Sequence, residues 1–555
     1  MSPKQQHITF KFIPVLFLAG ILFVSCTSPS PSVSVSKTVN LASLSGEDVY
    51  FVFTNTSTSS SAPAAPTIRS NSRISDETPR AGRPVEELPE DTFPRITDEM
   101  RWRNNPGQLI ENSSRAASAS RTYAPLTETV GSSRTFRTET NESTVATCRK
   151  KVQADGKTLL IYVADESWTV LPDESKISQN KVDVMAEKFL KAGSNNDIWD
   201  WTTDLLGAPW GSHSYNNLIA NGAQDYITIL LYDIKADADQ GTTVGYFDTT
   251  HNFLNTSGSS RSQERLFFAI DSYLYAKKTG AAWDAGDAWP REVFSTLAHE
   301  FQHMIFFYQK QIAQKTDYAE VWLNEMCSMI VEDLLADKIG IPGPRDVIPT
   351  IQNAGPVLSN WGRLNLYNAR PDRSLTSWGG SEVLYDYASA YSFGAFISRN
   401  YGGAALLRRI VQNPYLDESA VTNAVTGMGY GEKDFTLLLQ EWAAASIKSD
   451  TISTAIPSFN RNSFVATYPN GSTGTLYNLG GINLYNYAVY RNTSESGPMT
   501  YAGPGVFSSA TYPLGEMRPG GPASNIIILA GENLSGSHSW TVSIPTGSVF
   551  SIVRK

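Results

Sequence analysis

Hydrophobic and polar positions along the chain change their spacing several times, and each change predicts a different kind of structure. Residues 158–163 form a strand-like apolar run, and residues 177–192 place their apolar side chains on one helical face. Two further strand-like runs, 227–234 and 265–270, are separated by loops rich in Gly, Asp and Asn. A folded core is therefore expected to begin near residue 157.

Helical spacing dominates the next part of the chain. It marks four segments, at 289–311, 321–339, 388–401 and 434–447. Strands followed by helices within one unit predict an α+β fold for residues 151–450. After about residue 451 the pattern becomes strand-like again and is interrupted by Gly and Pro, which predicts a small β-sandwich for residues 451–555.

The beginning of the chain predicts export. Two lysines precede a short apolar run at residues 12–24, which is too short to span a bilayer permanently and is typical of a secretory signal. The sequence FVSC, which ends at Cys26, resembles a bacterial lipoprotein box, in which the cysteine is acylated. We therefore expect a signal peptide over residues 1–25 and a lipid-anchored tether over residues 26–37, at the bacterial cell envelope or surface. An ordinary cleaved secretion signal is the alternative.

Residues 38–150 are predicted to contain a short β segment and a long irregular part. Residues 49–53 have the pattern of a buried strand. From residue 56 to residue 143, Ser, Thr, Pro, Arg and Asn dominate with little periodicity. We expect a linker here, and a removable propeptide is the alternative.

Composition and charge exclude several classes of protein. The 555 residues are 41% hydrophobic, 11% aromatic and 18% charged, which excludes global disorder. Lys and Arg number 45 against 54 Asp and Glu, and no basic run is present, so nucleic acid is not an expected partner. Besides Cys26 the chain has Cys148 and Cys327, which excludes a disulfide-rich scaffold and allows one bridge at most.

The motif H-E-x-x-H at residues 299–303 is the strongest chemical signal. The flanking apolar residues recur at helical spacing, so the motif is predicted to lie on a helix. His299 and His303 then share one face and present two imidazole nitrogens to one metal ion, with Glu300 beside it to activate a water molecule. A catalytic zinc site has three protein ligands, so a third ligand is expected downstream.

A second apolar-periodic helix carries the sequence N-E-x-x-S, in which the glutamate is Glu325. The pairing of HEFQH with N-E-x-x-S resembles the gluzincin metallopeptidases, and residues 159–447 are similar to the hyicolysin-type bacterial peptidases within that group. The resemblance implies a thermolysin-like domain with a strand-rich first lobe and a helical second lobe. It also implies that His299, His303 and Glu325 bind one zinc ion and that Glu300 is the general base.

Two details of the gluzincin pattern are less clear in this chain. Many members carry an acid four residues after the glutamate ligand, where it supports a zinc-bound histidine, but Met329 occupies that position here. Glu332 and Ser328 are candidate replacements. The resemblance also implies a Tyr or His about 60–70 residues after the ligand that stabilises the developing oxyanion, and Tyr391 and Tyr387 are the candidates.

These observations predict a zinc metalloendopeptidase that acts on protein or peptide substrates. Endopeptidase activity is favoured because no recognisable motif for binding a free amino terminus lies near the two helices. The alternative is a catalytically inactive zinc-binding surface protein that acts as an adhesin or binding module. Glu300 favours the enzyme, because a structural zinc site has no need for a carboxylate beside an open coordination position.

Overall fold

The computed structural model describes the chain from residue 34 to residue 58 and from residue 127 to its end, with internal gaps. The gaps are at 141, 173–174, 214, 216–217, 220–221, 235–242, 255–261, 342–359, 380–382, 454, 456, 461–463, 469–474, 488–502 and 509–520. The predicted signal peptide, Cys26 and most of the predicted linker therefore lie outside the described residues. Within the described residues, each helix is too short or too polar to be a candidate membrane span.

The described residues contain strands at both ends and helices between them. The strands are β1 (Ser34–Asn55), β2 (Ser133–Arg137), β3 (Ser143–Ala154), β4 (Lys157–Ala164), β5 (Tyr226–Tyr232), β6 (Gly245–Tyr246), β7 (Leu266–Asp271), β8 (Phe464–Tyr468), β9 (Thr475–Leu479), β10 (Phe507–Ser508), β11 (Asn525–Pro545) and β12 (Ser548–Arg554). The helices are α1 (Gln179–Phe189), α2 (Ile198–Leu206), α3 (Ser272–Ala276), α4 (Ala288–Phe307), α5 (Val321–Ile339), α6 (Asn360–Ala369), α7 (Val383–Tyr401), α8 (Gly403–Gln412), α9 (Glu418–Gly427) and α10 (Phe435–Ile447). The predicted mixed α and β composition is confirmed.

A six-stranded sheet in the order β2-β3-β4-β5-β7-β6 forms the first half of the core. Its central strands β4, β5 and β7 run parallel, whereas the outer pairs are antiparallel. Leu159, Ile161 and Val163 of β4 pack with the helices, while Leu160 and Tyr162 face the other side, and all five are buried. Burial on both faces explains why this strand is a continuous apolar run and does not alternate with polar residues.

The same sheet is strongly curled. The ring of Phe136 on β2 stacks on the ring of Phe267 on β7, with centroids 5.6 Å apart, although three strands separate them in the sheet order. In a flat sheet, four steps of about 4.8 Å would hold these residues far apart. A bulge between Cys148 and Lys150 of β3 contributes to the bend. As a result β2 lies over the second face of the sheet and helps to bury it.

A second sheet joins the two ends of the described chain, in the order β10-β11-β1-β12. Strand β1 pairs with β11 from Ser34 to Thr54, with several register shifts. Trp540 lies opposite Val39 in this ladder, yet its ring contacts that of Phe51 at 5.4 Å, so β1 folds back on itself. Tyr50 and other residues of this sheet pack against α10. The N-terminal strand is thus an inner strand of the C-terminal sheet. The beginning of the predicted segment 38–150 therefore shares a sheet with the predicted segment 451–555, whereas β2 and β3 belong to the six-stranded sheet.

Helices α4 and α5 pack against each other between the six-stranded sheet and the remaining helices. Helix α4 contacts β7 and β6, and α5 contacts α7 on its other side. Both are surrounded by protein and buried on most faces, which explains their apolar character outside the motif residues. Helix α5 ends at Gly340, which has the positive φ of 77° that suits glycine at this position. The interface of α4 and α5 holds the candidate site.

Candidate metal centre

His299 and His303 on α4 face Glu325 on α5 across the helix interface. One donor atom from each residue can be chosen so that all three lie within 4.8 Å of one another. His299 Nε2 is 3.3 Å from Glu325 Oε2, and His303 Nε2 is 3.5 Å from Glu325 Oε1. All three side chains are buried. The sequence predicted these residues as one group, and the structure brings them together.

Each histidine makes a hydrogen bond through Nδ1, the ring nitrogen that points away from Glu325. His299 Nδ1 lies 2.6 Å from Glu332 Oε1, and His303 Nδ1 lies 3.1 Å from Asn324 Oδ1. Both partner atoms are acceptors, so Nδ1 is the donor in each ring. An imidazole that donates from Nδ1 directs the lone pair of Nε2 the opposite way, which here is towards Glu325. This is the orientation that a metal ligand requires.

The donor set fits a zinc ion. Two imidazole nitrogens and a carboxylate match the ligands of catalytic zinc sites, in which tetrahedral bonds of about 2.0–2.1 Å separate neighbouring ligand atoms by about 3.3–3.4 Å. The separations of 3.3 and 3.5 Å, which run from the two histidine nitrogens to different oxygens of Glu325, are close to that spacing. Glu300 follows His299 directly on α4 and is also buried. Zinc is therefore a chemically suitable occupant.

The electrostatic environment attracts positive charge. Burial lowers the pKa of His299, but the hydrogen bonds to Glu325 and Glu332 outweigh that effect and raise its pKa to about 10. Burial raises the pKa of Glu332, but the charge of Arg363 and the hydrogen bond from His299 outweigh burial and hold it below its ordinary value. Glu292, almost two helical turns before His299 on the same face of α4, is different, because burial and the charge of Glu332 raise its pKa well above the ordinary value. Of Glu292 and Glu332, Glu332 is therefore the one whose charged form is favoured.

Glu332 and Ser328, the two sequence candidates for supporting a zinc-bound histidine, contact different nitrogens of His299. Ser328 Oγ lies 3.1 Å from Nε2 and donates to the carbonyl oxygen of Glu325 at 2.8 Å. Glu332 accepts from Nδ1. A residue that supports a metal-bound histidine contacts the ring nitrogen that does not face the metal, which is Nδ1 here. The contact of Glu332 is therefore of this kind, and that of Ser328 is not.

Tyr387 and Tyr391 lie in different surroundings. The hydroxyl of Tyr391 donates to Asp333 Oδ2 at 3.1 Å, and Asp333 also pairs with Arg399 at 2.8 Å, all within the core. The ring of Tyr387 lies 5.7 Å from the guanidinium of Arg363, and its hydroxyl is buried with no hydrogen-bond partner among the described residues. The role predicted for either tyrosine stays a prediction.

The two cysteines of the described chain do not join the group. Cys148 and Cys327 are both free thiols and both are buried. Burial raises the pKa of Cys148 to about 11 and that of Cys327 to about 12, so both are protonated at neutral pH. A protonated thiol is a poor metal ligand. The bridge that the sequence allowed is not formed.

Sequence reasoning missed three residues that contact the group. Asn324 directly precedes Glu325, so the first letter of the N-E-x-x-S motif was its signal. Ser295 lies one helical turn before His299 on the face of α4 that carries both motif histidines, so its spacing from His299 was a detectable signal. Arg363 comes from α6, which is separated from α5 by undescribed residues, and no local pattern identifies it.

Comparisons with known proteins bear on the same region. A family model described as Peptidase M30 matches residues 140–515, more than half of the chain. The neutral metalloprotease ShpI of Staphylococcus hyicus is 27% identical over 293 residues, which are 52% of this chain and 56% of that protein. The chain thus spans about half the length of this curated relative. A solved aminopeptidase N family protein from Idiomarina loihiensis aligns with 73% of this chain and 68% of its own at 12% identity, with a TM-score of 0.28, which is too low to bear on the fold.

Proposed function

The chain belongs to the peptidase M30 family, and from this membership we propose that it is a zinc metalloendopeptidase that hydrolyses peptide bonds in protein or peptide substrates. The observation that carries the proposal is the convergence of His299, His303 and Glu325 inside the matched region, with Glu300 next to His299 in the sequence of α4. The name of the relative, a neutral metalloprotease, supports the same reaction class. The family match confirms the resemblance to hyicolysin-type peptidases that the sequence motifs predicted.

In this proposal His299 and His303 hold the ion through Nε2, and Glu325 holds it through its carboxylate. Zinc at such a site lowers the pKa of a water molecule towards 7 and polarises the carbonyl group of the substrate. The outward hydrogen bonds of the two histidines, to Glu332 and Asn324, keep both rings in the orientation that this requires.

Glu300 moves the proton. Its carboxylate accepts a proton from the attacking water while the water oxygen forms a bond to the peptide carbonyl carbon. The protonated Glu300 then gives that proton to the amide nitrogen as the C–N bond breaks, and the products are a carboxylate and an amine. Glu300 is buried, which shields the proton from exchange with bulk water between the two transfers.

The sequence offers Tyr391 and Tyr387 as donors for the developing oxyanion, and the geometry favours Tyr387. Tyr391 already donates a hydrogen bond to Asp333 in a buried ion-pair cluster, so its hydroxyl is committed to that contact. Tyr387 lies beside Arg363, which in turn contacts Glu332 next to the proposed ligands. A buried hydroxyl with no partner among the described residues is the better candidate for a contact with substrate.

The proposal extends to the layout of the fold and the location of the protein. We assign the curled sheet and its helices to a first lobe and α5 to α10 to a second, in the two-lobed arrangement of thermolysin-like peptidases, with the site at the α4–α5 interface. The protein is exported and anchored to the cell envelope through lipid on Cys26. Cys26 precedes β1 by a few residues, so such an anchor would hold the terminal sheet close to the membrane.

The experiment compares the purified protein lacking residues 1–25 with its Glu300→Gln variant, using zinc content and hydrolysis of an unfolded protein. We expect one zinc ion per chain in both proteins and a loss of hydrolysis of at least about 10²-fold in the variant, since a positioned general base contributes about 10²–10⁴-fold. Glu441→Gln is the matched control, because Glu441 lies on α10 and contacts Lys433 and Tyr401, outside the metal centre, and the same change of side chain there should leave hydrolysis within about twofold.

Two outcomes would contradict the proposal. Hydrolysis that survives in Glu300→Gln would remove Glu300 from the mechanism. A wild-type protein that binds zinc but cleaves nothing would favour the alternative, a catalytically inactive zinc-binding surface protein.

A further inference from the structure

Strand β1 pairs with other strands along both of its edges. On one edge residues 34–54 pair antiparallel with β11, and on the other edge residues 49–55 pair antiparallel with β12. The pairing continues past the end of the strand, because the backbone amide of Thr56 donates to the carbonyl oxygen of Gly547 at 3.0 Å. The second half of β1 is therefore an inner strand of the terminal sheet, β10-β11-β1-β12, with a hydrogen-bonded ladder on each side.

Both faces of this half of β1 are buried as well. Val49, Phe51 and Phe53 lie in the apolar core inside the terminal sheet. Tyr50 and Val52 point the other way and pack against α10. None of these five side chains is more than 6% exposed. Removal of β1 would therefore expose apolar surface on both sides of the sheet, which is strongly unfavourable in water.

Polar contacts also join β1 to the last strands of the chain. Thr54 Oγ1 donates to Asn525 Oδ1 at 2.6 Å in the core. The backbones of Asp48 and Lys555 exchange two hydrogen bonds, of 2.8 and 2.9 Å. Residues 59–126, which connect β1 to the rest of the sequence, lie outside the described residues. The contacts that hold β1 in the terminal sheet are thus non-covalent and do not involve this link.

Helix α10 connects the terminal sheet to helices near the metal centre. Trp442 on α10 stacks on Tyr367 of α6 with ring centroids 5.2 Å apart, and it donates to Ser392 Oγ of α7 at 3.1 Å. Helix α6 also carries Arg363, and α7 also carries Tyr387. Since β1 packs against α10, it supports the position of these two helices.

We propose that β1 is a permanent part of the peptidase that stays bound when the chain between residues 58 and 127 is cut, so that the cut protein is an active enzyme of two chains. Peptides that add a strand to a sheet edge are held by one ladder, whereas β1 has two ladders and two buried faces. Residues 34–58 are then excluded from any propeptide that leaves the enzyme. The inference concerns the terminal sheet and does not depend on the proposed zinc ligands.

The test uses the protein lacking residues 1–25, with the recognition sequence of a site-specific protease inserted after residue 91. After complete cleavage we expect both fragments to elute together from a sizing column in native buffer, in equal amounts. Hydrolysis of an unfolded protein should stay within about twofold of the uncut protein, because the cut lies outside the packed elements. In unfolding concentrations of urea the fragments should separate. Protein without the inserted sequence, treated with the same protease, is the control.

Two valines of β1 provide a matched pair of variants. Val52 is 0% exposed and packs on α10, whereas Val35 on the same strand is 66% exposed. In the cut protein, Val52→Asp should release the first fragment in native buffer, because a carboxylate cannot be buried there without a partner. Val35→Asp should leave the fragment bound. Val52→Ala, which removes apolar contacts without adding charge, should release it at a lower urea concentration than wild type, and it serves if Val52→Asp does not fold.

Release of the first fragment from cut wild-type protein in native buffer would overturn the inference. Equal release from Val35→Asp and Val52→Asp would also overturn it, since the buried face of β1 would then not be what holds the fragment. Fragments that stay together but lose hydrolysis would show that the link is needed for activity and would overturn that part. None of these results changes zinc binding by the uncut protein, so the proposed function would stand. Conversely, fragments that stay together in a protein that binds no zinc would contradict the proposed function alone.

Discussion

Two buried polar clusters share helix α5, and they differ in what balances their charge. The Arg399 cluster consists of Asp333, Arg399 and Tyr391, and its two charged side chains are both 0% exposed and 2.8 Å apart. The metal-centre cluster consists of His299, His303 and Glu325 with their supporting residues. Its acidic oxygens face two imidazole nitrogens.

The difference teaches how to separate structure from function in a buried polar cluster. In the Arg399 cluster a fixed cation matches the carboxylate, and Arg399 also donates to the backbone carbonyls of Gly480 and Ala395, so the charge is balanced by the protein itself. In the metal-centre cluster the donor atoms converge at the spacing of ligands around one ion. Charge matched by arginine indicates a structural role, whereas convergent donor atoms indicate a binding site.

The largest effect should come from removing the ligand that both histidines face. Glu325→Gln keeps the shape of the side chain but removes the charge that attracts the ion. We expect zinc to be lost on dialysis and hydrolysis to fall to background. This effect is larger than the loss of about 10–100-fold in metal affinity or activity that follows when a residue hydrogen-bonded to a ligand is replaced. Metal content and hydrolysis should be compared with Glu320→Gln, which changes a glutamate at the beginning of the same helix. Retention of zinc by Glu325→Gln would contradict the ligand set.

The Arg399 cluster should respond in the opposite way. Arg399→Met leaves the buried carboxylate of Asp333 without its cation, which costs about 3–5 kcal/mol of folding free energy. We expect a clear fall in melting temperature, with one zinc ion still bound to the folded protein. The double variant Arg399→Met with Asp333→Leu should recover most of the loss, because an apolar pair needs no charge balance. Zinc loss without a change in melting temperature would reverse the two roles.

Tyr387 and Tyr391 allow the same comparison between a residue proposed to act in catalysis and one that belongs to the Arg399 cluster. Tyr387→Phe should lower kcat by about 10²-fold if its hydroxyl stabilises the oxyanion. Tyr391→Phe removes one hydrogen bond to Asp333 and should cost about 1 kcal/mol of stability with little change in kcat. Hydrolysis rates and thermal melting of both variants give the comparison. A large fall in kcat for Tyr391→Phe alone would assign the catalytic hydroxyl to Tyr391.

The smallest effect is expected at His303, whose Nδ1 contacts the uncharged amide of Asn324. Asn324→Ala removes the acceptor from His303 Nδ1. We expect zinc affinity to fall by about tenfold, near the lower end of the range for such partners. Titration of the metal-free variant and the metal-free wild-type protein with zinc measures the loss. Unchanged zinc affinity would contradict a supporting role for this hydrogen bond.

Local pattern predicted much of the core. The strand-like run at 158–163 lies within β4, the run at 265–270 matches β7 except at its first residue, and the predicted helix at 321–339 is α5. The predicted helix at 289–311 is correct as far as Phe307, where α4 ends and a π-helical turn, Tyr308–Ala313, begins. The period of apolar residues does not distinguish an α-helical turn from a π-helical turn, so the end of α4 at Phe307 could not be predicted from the sequence.

The remainder of the fold depends on contacts between distant residues. The pairing of β1 with β11 joins residues such as Phe51 and Ile528, and nothing in either segment alone identifies the strand with which it pairs. The candidate site shows the same limit. Spacing on one helix identified His299 and His303, but the contact of Arg363 with Glu332 arises from the packing of α6 and has no local signal.

The central claim is that one zinc ion is bound where α4 and α5 face each other. The most direct measurement is an anomalous difference map at the zinc absorption edge, from crystals of the zinc-loaded protein lacking residues 1–25. The account predicts one strong peak at about 2.0–2.2 Å from His299 Nε2, His303 Nε2 and a carboxylate oxygen of Glu325. A peak elsewhere, or no peak in a crystal shown to contain zinc-saturated protein, would contradict it.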